Sequence, residues 1–450
     1  MNTIMKKKKE KAKKNPAKQF FIAYLITILI GGGLLMLPIS TASGEFSNPI
    51  NAIFTATSAV CVTGLVTYVT ATYWTWFGKL VIIILIQLGG LGVVTAGGAL
   101  GLAINKKFNL KDRMYIAEEK NSDSLTGMVK LMKYVLASTF IIEGTGALLL
   151  AFQFVPDYGL GKGILYALFH SISAFCNAGF DLIGAESLVP YQNNALVSLT
   201  ISTLIVLGGL GFVVYRDVLT TRKWKNFKLH TKLVLSGTFI IIVVPAIFIM
   251  IVEWNNPGTL GKLSFGGKVL TSIFQSVTPR TAGFFSIDQG AITNATLVLT
   301  IVLMFVGGAP AGTAGGLKVT TLLSMMFSAR SNIRKEEDVT VFKRRIPRDT
   351  INKAYTIFFV SIFWLFFAIM ILNITDGDKA LSDITYELIS AYGTVGLSRG
   401  ITPYVTDIGK IVLMLTMIFG KIGPLSMVYV FMQKTSKNIV KEAEENILVG

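Results

Sequence analysis

The sequence predicts an all-α polytopic membrane protein: four helix–re-entrant loop–helix repeats, with eight transmembrane helices around a central pore. Three observations predict it. Of 450 residues, 52% are hydrophobic and only 15% charged, and several apolar runs approach the ~20 residues that cross ~30 Å of hydrocarbon. A short pattern ending in glycine occurs four times, as Cys61-Val62-Thr63-Gly64, Cys176-Asn177-Ala178-Gly179, Arg280-Thr281-Ala282-Gly283 and Gly393-Thr394-Val395-Gly396, each followed by a large apolar residue. A second marker follows each at a near-constant offset: Gly89-Gly90-Leu91-Gly92, Gly208-Gly209-Leu210-Gly211, Gly307-Gly308-Ala309 and Gly420-Lys421-Ile422-Gly423. Two markers holding register through four copies make an internal repeat.

The chain in order divides into a basic tail at 1–18, repeat one at 19–105, repeat two at 130–219, repeat three at 230–328, repeat four at 351–433 and a C-terminal tail at 434–450. In repeat one a spanning helix near 19–37 stops at Pro38. Asn48-Pro49 starts a short re-entrant helix, through a capping side chain and a proline in the first turn. An outgoing helix follows near 76–104, with Trp74 and Trp76 as interface anchors. Repeat two has helices near 130–154 and 194–219 and a re-entrant helix near 163–175. Repeat three has helices near 230–253 and 294–327, and a re-entrant helix near 266–278 ended by Pro279. Repeat four has helices near 351–373 and 406–432, with Ser382-Asp383 capping its re-entrant helix. The lysine tail and first apolar run mimic a secretory signal, but Phe20 to Leu37 is longer than such a core and is needed as the first helix.

The net charge of +17 comes from 42 basic against 25 acidic residues. The basic residues cluster at 1–18, 106–133, 216–232, 330–353 and 434–441, between the apolar runs. That distribution places both termini and three basic loops in the cytoplasm, and the basic tail against anionic lipid headgroups. It excludes nucleic-acid binding, because no basic patch is interleaved with aromatics in a foldable soluble domain.

The glycine patterns cannot be good helix, since glycine and β-branched residues disfavour it. Non-helical backbone at membrane depth is tolerated only when buried in protein or lining a wet path. Its most economical use is a ring of carbonyls that replaces the hydration shell of a cation. The four segments are therefore expected to form an ion-selectivity filter, with the negative ends of the re-entrant helix dipoles facing it. Cys61 and Cys176 are expected to be small buried residues rather than a disulfide or metal pair.

These residues resemble the Trk/Ktr/HKT superfamily of potassium transporters, most closely the KtrB-type membrane subunit of bacterial Ktr systems. The resemblance covers nearly the whole chain after the tail. It rests on Val62-Thr63-Gly64-Leu65, Asn177-Ala178-Gly179-Phe180, Thr278-Pro279-Arg280-Thr281-Ala282-Gly283-Phe284 and Gly393-Thr394-Val395-Gly396. It implies potassium preference, since all four positions Gly64, Gly179, Gly283 and Gly396 are glycine. It implies a gating loop within the second helix of repeat three, where Gly307, Gly308, Ala309, Pro310, Ala311, Gly312, Thr313, Ala314, Gly315 and Gly316 stand. That composition could not stay helical in any case. Where the family usually carries arginine beneath the pore, this chain has Lys421, which keeps the charge but loses the planar fork of donors. The resemblance further implies a homodimer on a cytosolic ring of nucleotide-binding KtrA/KtrC-type regulatory subunits, with the basic loops and C-terminal tail as docking surfaces.

Other polar residues have expected places too. Lys421 is expected to contact the gating loop or repel cations, and Arg280 to brace the filter from behind. Glu143 is expected in a structural pairing, with Lys318 a candidate partner. Asp181 and Asp288 are candidates for collecting cations at the outer mouth, and His170 and His230 are structural. The resulting expectation is K⁺ uptake across the cytoplasmic membrane, with no enzyme activity and no organic cofactor. Sodium dependence is not written in the residues, although the resembled family includes sodium-dependent members. The rival is a secondary transporter for another cation or small solute, which would usually show two repeats and a polar midplane pocket.

Overall fold

The computed structural model describes residues 16–93, 95–98, 128–431 and 445. The 1–15 part of the basic tail, nearly all of the basic loop at 106–129 and nearly all of the C-terminal tail lie outside the described residues, as do the docking roles expected of them. The elements, in chain order, are α1 (Pro16–Met36), α2 (Pro49–Val60), α3 (Trp76–Leu91), α4 (Met128–Tyr158), α5 (Leu160–Phe175), α6 (Ala195–Leu210), α7 (Phe212–Thr221), α8 (Leu229–Val252), α9 (Phe265–Val277), α10 (Asn294–Phe305), α11 (Val319–Ile333), α12 (Arg348–Thr375), α13 (Leu381–Gly393), α14 (Asp407–Ile422) and α15 (Pro424–Phe431). Other regular features among the described residues are a single helical turn at Thr70–Tyr73, four three-residue 3-10 turns and a two-residue hairpin pairing Thr340–Val341 with Arg344–Arg345. Helices α1, α4, α8 and α12 are each long and apolar enough to cross a membrane, and α6–α7 and α14–α15 qualify as bent pairs. With the shorter apolar α3 and α10, they occupy the places of the eight expected segments. The outer faces carry side chains suited to lipid, such as Phe359, Phe363 and Phe366 on α12, so this is a multi-pass membrane protein.

Local chemistry explains where the helices start. Asn48 caps α2 by accepting from the amides of Ile50 and Asn51, at 2.9 and 3.3 Å, with Pro49 behind it. Ser264 caps α9 the same way, accepting from the Gly267 amide at 3.1 Å. The expected Ser382-Asp383 cap of α13 is not formed. Ala380 occupies the cap position without a side-chain bond, and Asp383 sits inside the first turn, paired with Arg399 at 2.9 Å, where a carboxylate complements the helix dipole. Trp74 is no interface anchor: it is 2% exposed, packed edge-on against Tyr68 and Tyr73, while Trp76 is 46% exposed as expected of an anchor.

The larger departure concerns the outgoing helices. Those expected near 76–104, 194–219 and 406–432 break at Gly92, Gly211 and Gly423, where φ is +92°, +85° and +93°. The backbone bends by 92° between α6 and α7 and by 104° between α14 and α15. A left-handed residue after the last helical turn is a common stop, and glycine holds it without a Cβ penalty. The 294–327 helix breaks as well, into α10 and α11 around residues 306–318. Three outgoing helices thus stop within the second marker, and α10 stops two residues before it.

Incoming and outgoing helices are tied at one end by the caps of the latter. Asp376, just past α12, accepts from the Thr406 amide at 2.7 Å and its hydroxyl at 2.9 Å. Glu253, just past α8, does the same for Thr293, at 2.9 and 2.7 Å. Burial alone would raise the Asp376 carboxyl, but the Thr406 amide and the Thr375 and Thr406 hydroxyls outweigh it and hold the group below its ordinary value. A carboxyl depressed in the fold stabilises it above the unfolded value of about 4, and that contribution fades as pH falls through the folded-state value. Asp376→Asn is accordingly expected to destabilise the fold in detergent at pH 7 by about 2 kcal/mol, the worth of one charge-assisted bond, read as a lower melting temperature. The gap to the native protein should narrow in scans taken progressively below pH 4. A gap independent of pH would refute the charged state.

Candidate ion path

Each re-entrant helix ends directly at a glycine segment: α2 at Val60, α5 at Phe175, α9 at Val277 and α13 at Gly393. Within the segments the residue two before the glycine is left-handed, with φ of +50° at Val62, +58° at Asn177, +68° at Thr281 and +50° at Thr394. The terminal glycines are also at positive φ. Left-handed non-glycine backbone costs about 1–3 kcal/mol per residue and persists only where its surroundings enforce it. Left-handed residues alternating with right-handed ones turn successive carbonyls to one side of a segment, unlike the alternating carbonyls of a β-strand.

The enforcement comes from the re-entrant helices. The amides of Thr63, Ala178 and Val395 donate to the carbonyls of Ser58, Ser173 and Ser390 at 2.7–2.8 Å, and Ala282 donates to Thr278 at 3.0 Å. The Ser58 and Ser390 hydroxyls accept from the amides of Gly64 and Gly396, both at 3.0 Å. Ser173 and Thr278 instead donate their hydroxyls to the carbonyls of Phe180 and Phe284. These hydroxyl residues were not anticipated. Their signal is register, since three serines stand six residues before a segment glycine and a threonine stands five before the other.

The four segments close on one another. A Cβ placed on Gly64 would meet the Ala178 carbonyl oxygen at 2.5 Å, on Gly179 that of Ala282 at 2.6 Å, and on Gly283 that of Val395 at 2.5 Å. On Gly396 it would collide with that of Thr63. Each contact runs to the next repeat and the last returns to the first, so the segments surround a single axis in chain order. The residues of the segments are buried apart from the half-buried Gly396, with Val62, Asn177, Thr281 and Thr394 fully so.

Against one side of this ring lies the broken stretch of repeat three. Val306 and Leu317 bridge in parallel at its neck. Its tip binds backbone left unpaired by the other breaks, because the last turn of a helix has carbonyls without intrahelical partners. The Ala309 amide donates to Gly209 at 2.8 Å and the Thr313 amide to Gly208 at 3.1 Å, both at the end of α6. The Gly316 amide donates to Gly420 at 3.2 Å, near the end of α14. The Thr313 hydroxyl lies 3.0 Å from Asn177 Oδ1 and 3.2 Å from the Phe175 carbonyl. Residues 307–316 are nearly all buried, packed between the ends of α6 and α14 and the second glycine segment.

Lys421 reaches this loop, donating from Nζ to the Thr313 carbonyl at 2.6 Å. Lys318 also turns to it, donating to Ala314 and Gly315 at 2.5 and 3.2 Å. Glu143 is therefore not Lys318's partner: it accepts from Gln87 Nε2 at 3.2 Å and contacts the Cys176 thiol at 3.7 Å. Cys61 and Cys176 are both free and buried. The Arg280 guanidinium points away from the axis, with Nη2 3.3 Å from the Thr238 hydroxyl on α8. Asp181 folds onto its own loop, accepting from the Ile183 and Gly184 amides, and burial pushes its carboxyl up to about 6. Asp288 likewise accepts from Gly290, at 2.8 Å. His170 is held between the Tyr166 carbonyl and the Leu182 amide, and among the described residues no group of three or more acidic, His or Cys side chains could hold a metal.

A charge-assisted bond is worth about 1.5–3 kcal/mol, so Lys421→Gln is expected to raise cation flux through purified protein in liposomes about tenfold. Unchanged flux would show that the ammonium does not hold the loop.

Comparison with known proteins places this arrangement. The family described as TrkH, cation transport protein, matches residues 4–442. The chain is 40% identical to the potassium/sodium uptake protein NtpJ of Enterococcus hirae, over 100% of both chains. It is 41% identical to the Ktr system potassium uptake protein B of Bacillus subtilis, over 97% of each. To the protein of that name from Vibrio alginolyticus it is 35% identical, over 98% of this chain and 97% of the relative. The crystal structure of the potassium transporter TrkH from Vibrio parahaemolyticus shares the fold, with a TM-score of 0.73 at 18% identity over 94% of this chain and 86% of that one. The chain belongs to the TrkH family of cation transport proteins, and it is a transporter, not an enzyme.

Proposed function

We propose that this protein takes up K⁺ across the cell membrane through a selectivity filter formed by its four glycine segments, under the control of the 307–316 loop. The closed ring of glycine–carbonyl contacts carries this reading. Carbonyls held around one axis replace the water of a dehydrated cation, and four re-entrant helices aim their negative ends at it. The bulk driving force is the membrane potential, about 2.3 kcal/mol per charge per 100 mV. The loop blocks the inner end until it is withdrawn, and Lys318 and Lys421 hold it there. The chain works as a homodimer on a cytosolic nucleotide-binding ring of the KtrA/KtrC type, with both termini in the cytoplasm. The names of its relatives as Ktr system or potassium/sodium uptake proteins support this reading and make Na⁺ a second candidate ion.

The experiment is K⁺ and Na⁺ flux in proteoliposomes, native against Gly64→Ser, with and without a regulatory ring. Flux selective for K⁺ that becomes permeable to Na⁺ in the variant is the expected result. Equal passage of both ions in both proteins would leave a pore without the proposed selectivity, and no flux under any condition would refute transport.

A further inference from the structure

We propose that Asn177 couples the loop to the filter, so that withdrawing Thr313 loosens the second and third glycine segments and opening the path lowers its preference for K⁺ over Na⁺. This rests on the filter-and-gate reading above and adds to it that the two parts are not independent.

The Asn177 side chain uses its whole amide in three directions. Its Nδ2 lies 3.3 Å from the Arg280 carbonyl and 3.2 Å from the Thr281 hydroxyl, both on the neighbouring segment. Its Oδ1 accepts from the Thr313 hydroxyl of the loop at 3.0 Å. Asn177 and Thr281 are both left-handed, so the amide joins two strained residues on adjacent segments. It is also seated by the break of α6. A Cβ on Gly208 would collide with Oδ1, and the Gly208 carbonyl takes the Thr313 amide at 3.1 Å. Thr313, Gly208 and Asn177 therefore form one closed set of contacts.

The corresponding residues of the other repeats do not do this. Val62 has no polar group, the Thr281 hydroxyl serves Asn177, and the Thr394 hydroxyl is buried with no hydrogen-bond partner among the described residues. The loop nevertheless packs on this layer at three points, because Gly307 meets Thr281 and Gly315 meets Thr394 where a Cβ would stand. When the loop moves away, Oδ1 exchanges its fixed protein donor for water in the opened path, and an amide lacking one protein anchor is free to turn. Segments two and three then lose the bracing that fixes their carbonyl spacing, on which discrimination between two ions of equal charge rests. By linkage the reverse also holds: K⁺ seated between these carbonyls favours the loop-closed state.

The test is Thr313→Val, which keeps the shape of the side chain and removes the hydroxyl, with Thr313→Ser as the conservative rescue. In proteoliposomes the valine variant is expected to raise total cation flux and to reduce the K⁺/Na⁺ ratio about 5- to 30-fold, the effect of one buried hydrogen bond. Serine should restore both. In detergent, the protection against thermal unfolding given by K⁺ over Na⁺ should shrink in the valine variant. Asn177→Asp, which keeps the acceptor and removes both donors, should lower the ratio by itself, and it decides the matter if the valine variant does not assemble. A K⁺/Na⁺ ratio unchanged in these variants, whether or not flux rises, overturns the coupling while leaving filter and gate standing. Absence of K⁺ preference in the native protein would instead overturn the filter reading, and the coupling with it.

Discussion

Gly396→Ala is expected to abolish K⁺-selective flux while leaving the helices in place. Two costs coincide at this residue. Its φ is +92°, which an alanine adopts only at about 1–2 kcal/mol, and the added methyl would collide with the Thr63 carbonyl across the ring. That carbonyl belongs to repeat one, so the damage reaches two of the four segments. A fall in K⁺ flux of at least about a hundredfold corresponds to roughly 3 kcal/mol, within reach of strain and overpacking together. Gly400→Ala supplies the control. Its φ is a similar +89°, but nothing lies within 4 Å of a Cβ there, so it should cost stability and leave selectivity alone. Equal effects of the two substitutions on the K⁺/Na⁺ ratio would mean that the ring contacts do not govern permeation.

Excising Pro310–Thr313 is the second large effect, and its sign is opposite. The deletion removes the Thr313 bonds to Gly208, Asn177 and Lys421 together, while the neck formed by Val306 and Leu317 stays intact. Minor conformations of proteins are typically populated at 0.1–10%, so holding the path permanently open should raise flux by about tenfold to about a thousandfold. The carbonyls freed at the ends of α6 and α14 would face the wet path and take water instead, which keeps the fold. Flux equal to that of the native protein, from a variant of normal stability, would show that the loop does not obstruct the path.

The repeat, the re-entrant helices and the positions of the four glycine segments were legible in the sequence because each is written in residues with strong local preferences. Glycine and β-branched residues exclude helix wherever they cluster, and Asn48-Pro49 announces a helix start by local chemistry alone. The breaks at Gly92, Gly211 and Gly423 were not read, although the final glycine of each marker is the usual stop signal. Hydropathy continues through these glycines, and the apolar run outweighs the stop when only composition is considered. The role of Asn177 was equally out of reach. Its partners, Arg280, Thr281 and Thr313, lie more than a hundred residues away, and nothing local distinguishes an asparagine that bridges segments from one that ends a turn. The mistaken pairing of Glu143 with Lys318 arose from the same gap: the opposite charges suggested a partnership, whereas Lys318 is spent on carbonyls three and four residues before it.

Among the described residues, the third repeat carries the longest helix break, residues 306–318 between α10 and α11. On the proposed gating, closure within one chain would be a single event, not four concerted ones. A single chain with one such gate and one effector site would respond with a Hill slope of one. On the proposed function, sharper switching would arise between chains, in the proposed dimer and regulatory ring. The four glycine segments would then set which ion passes, and the loop would leave the sharpness of opening to the assembly around it.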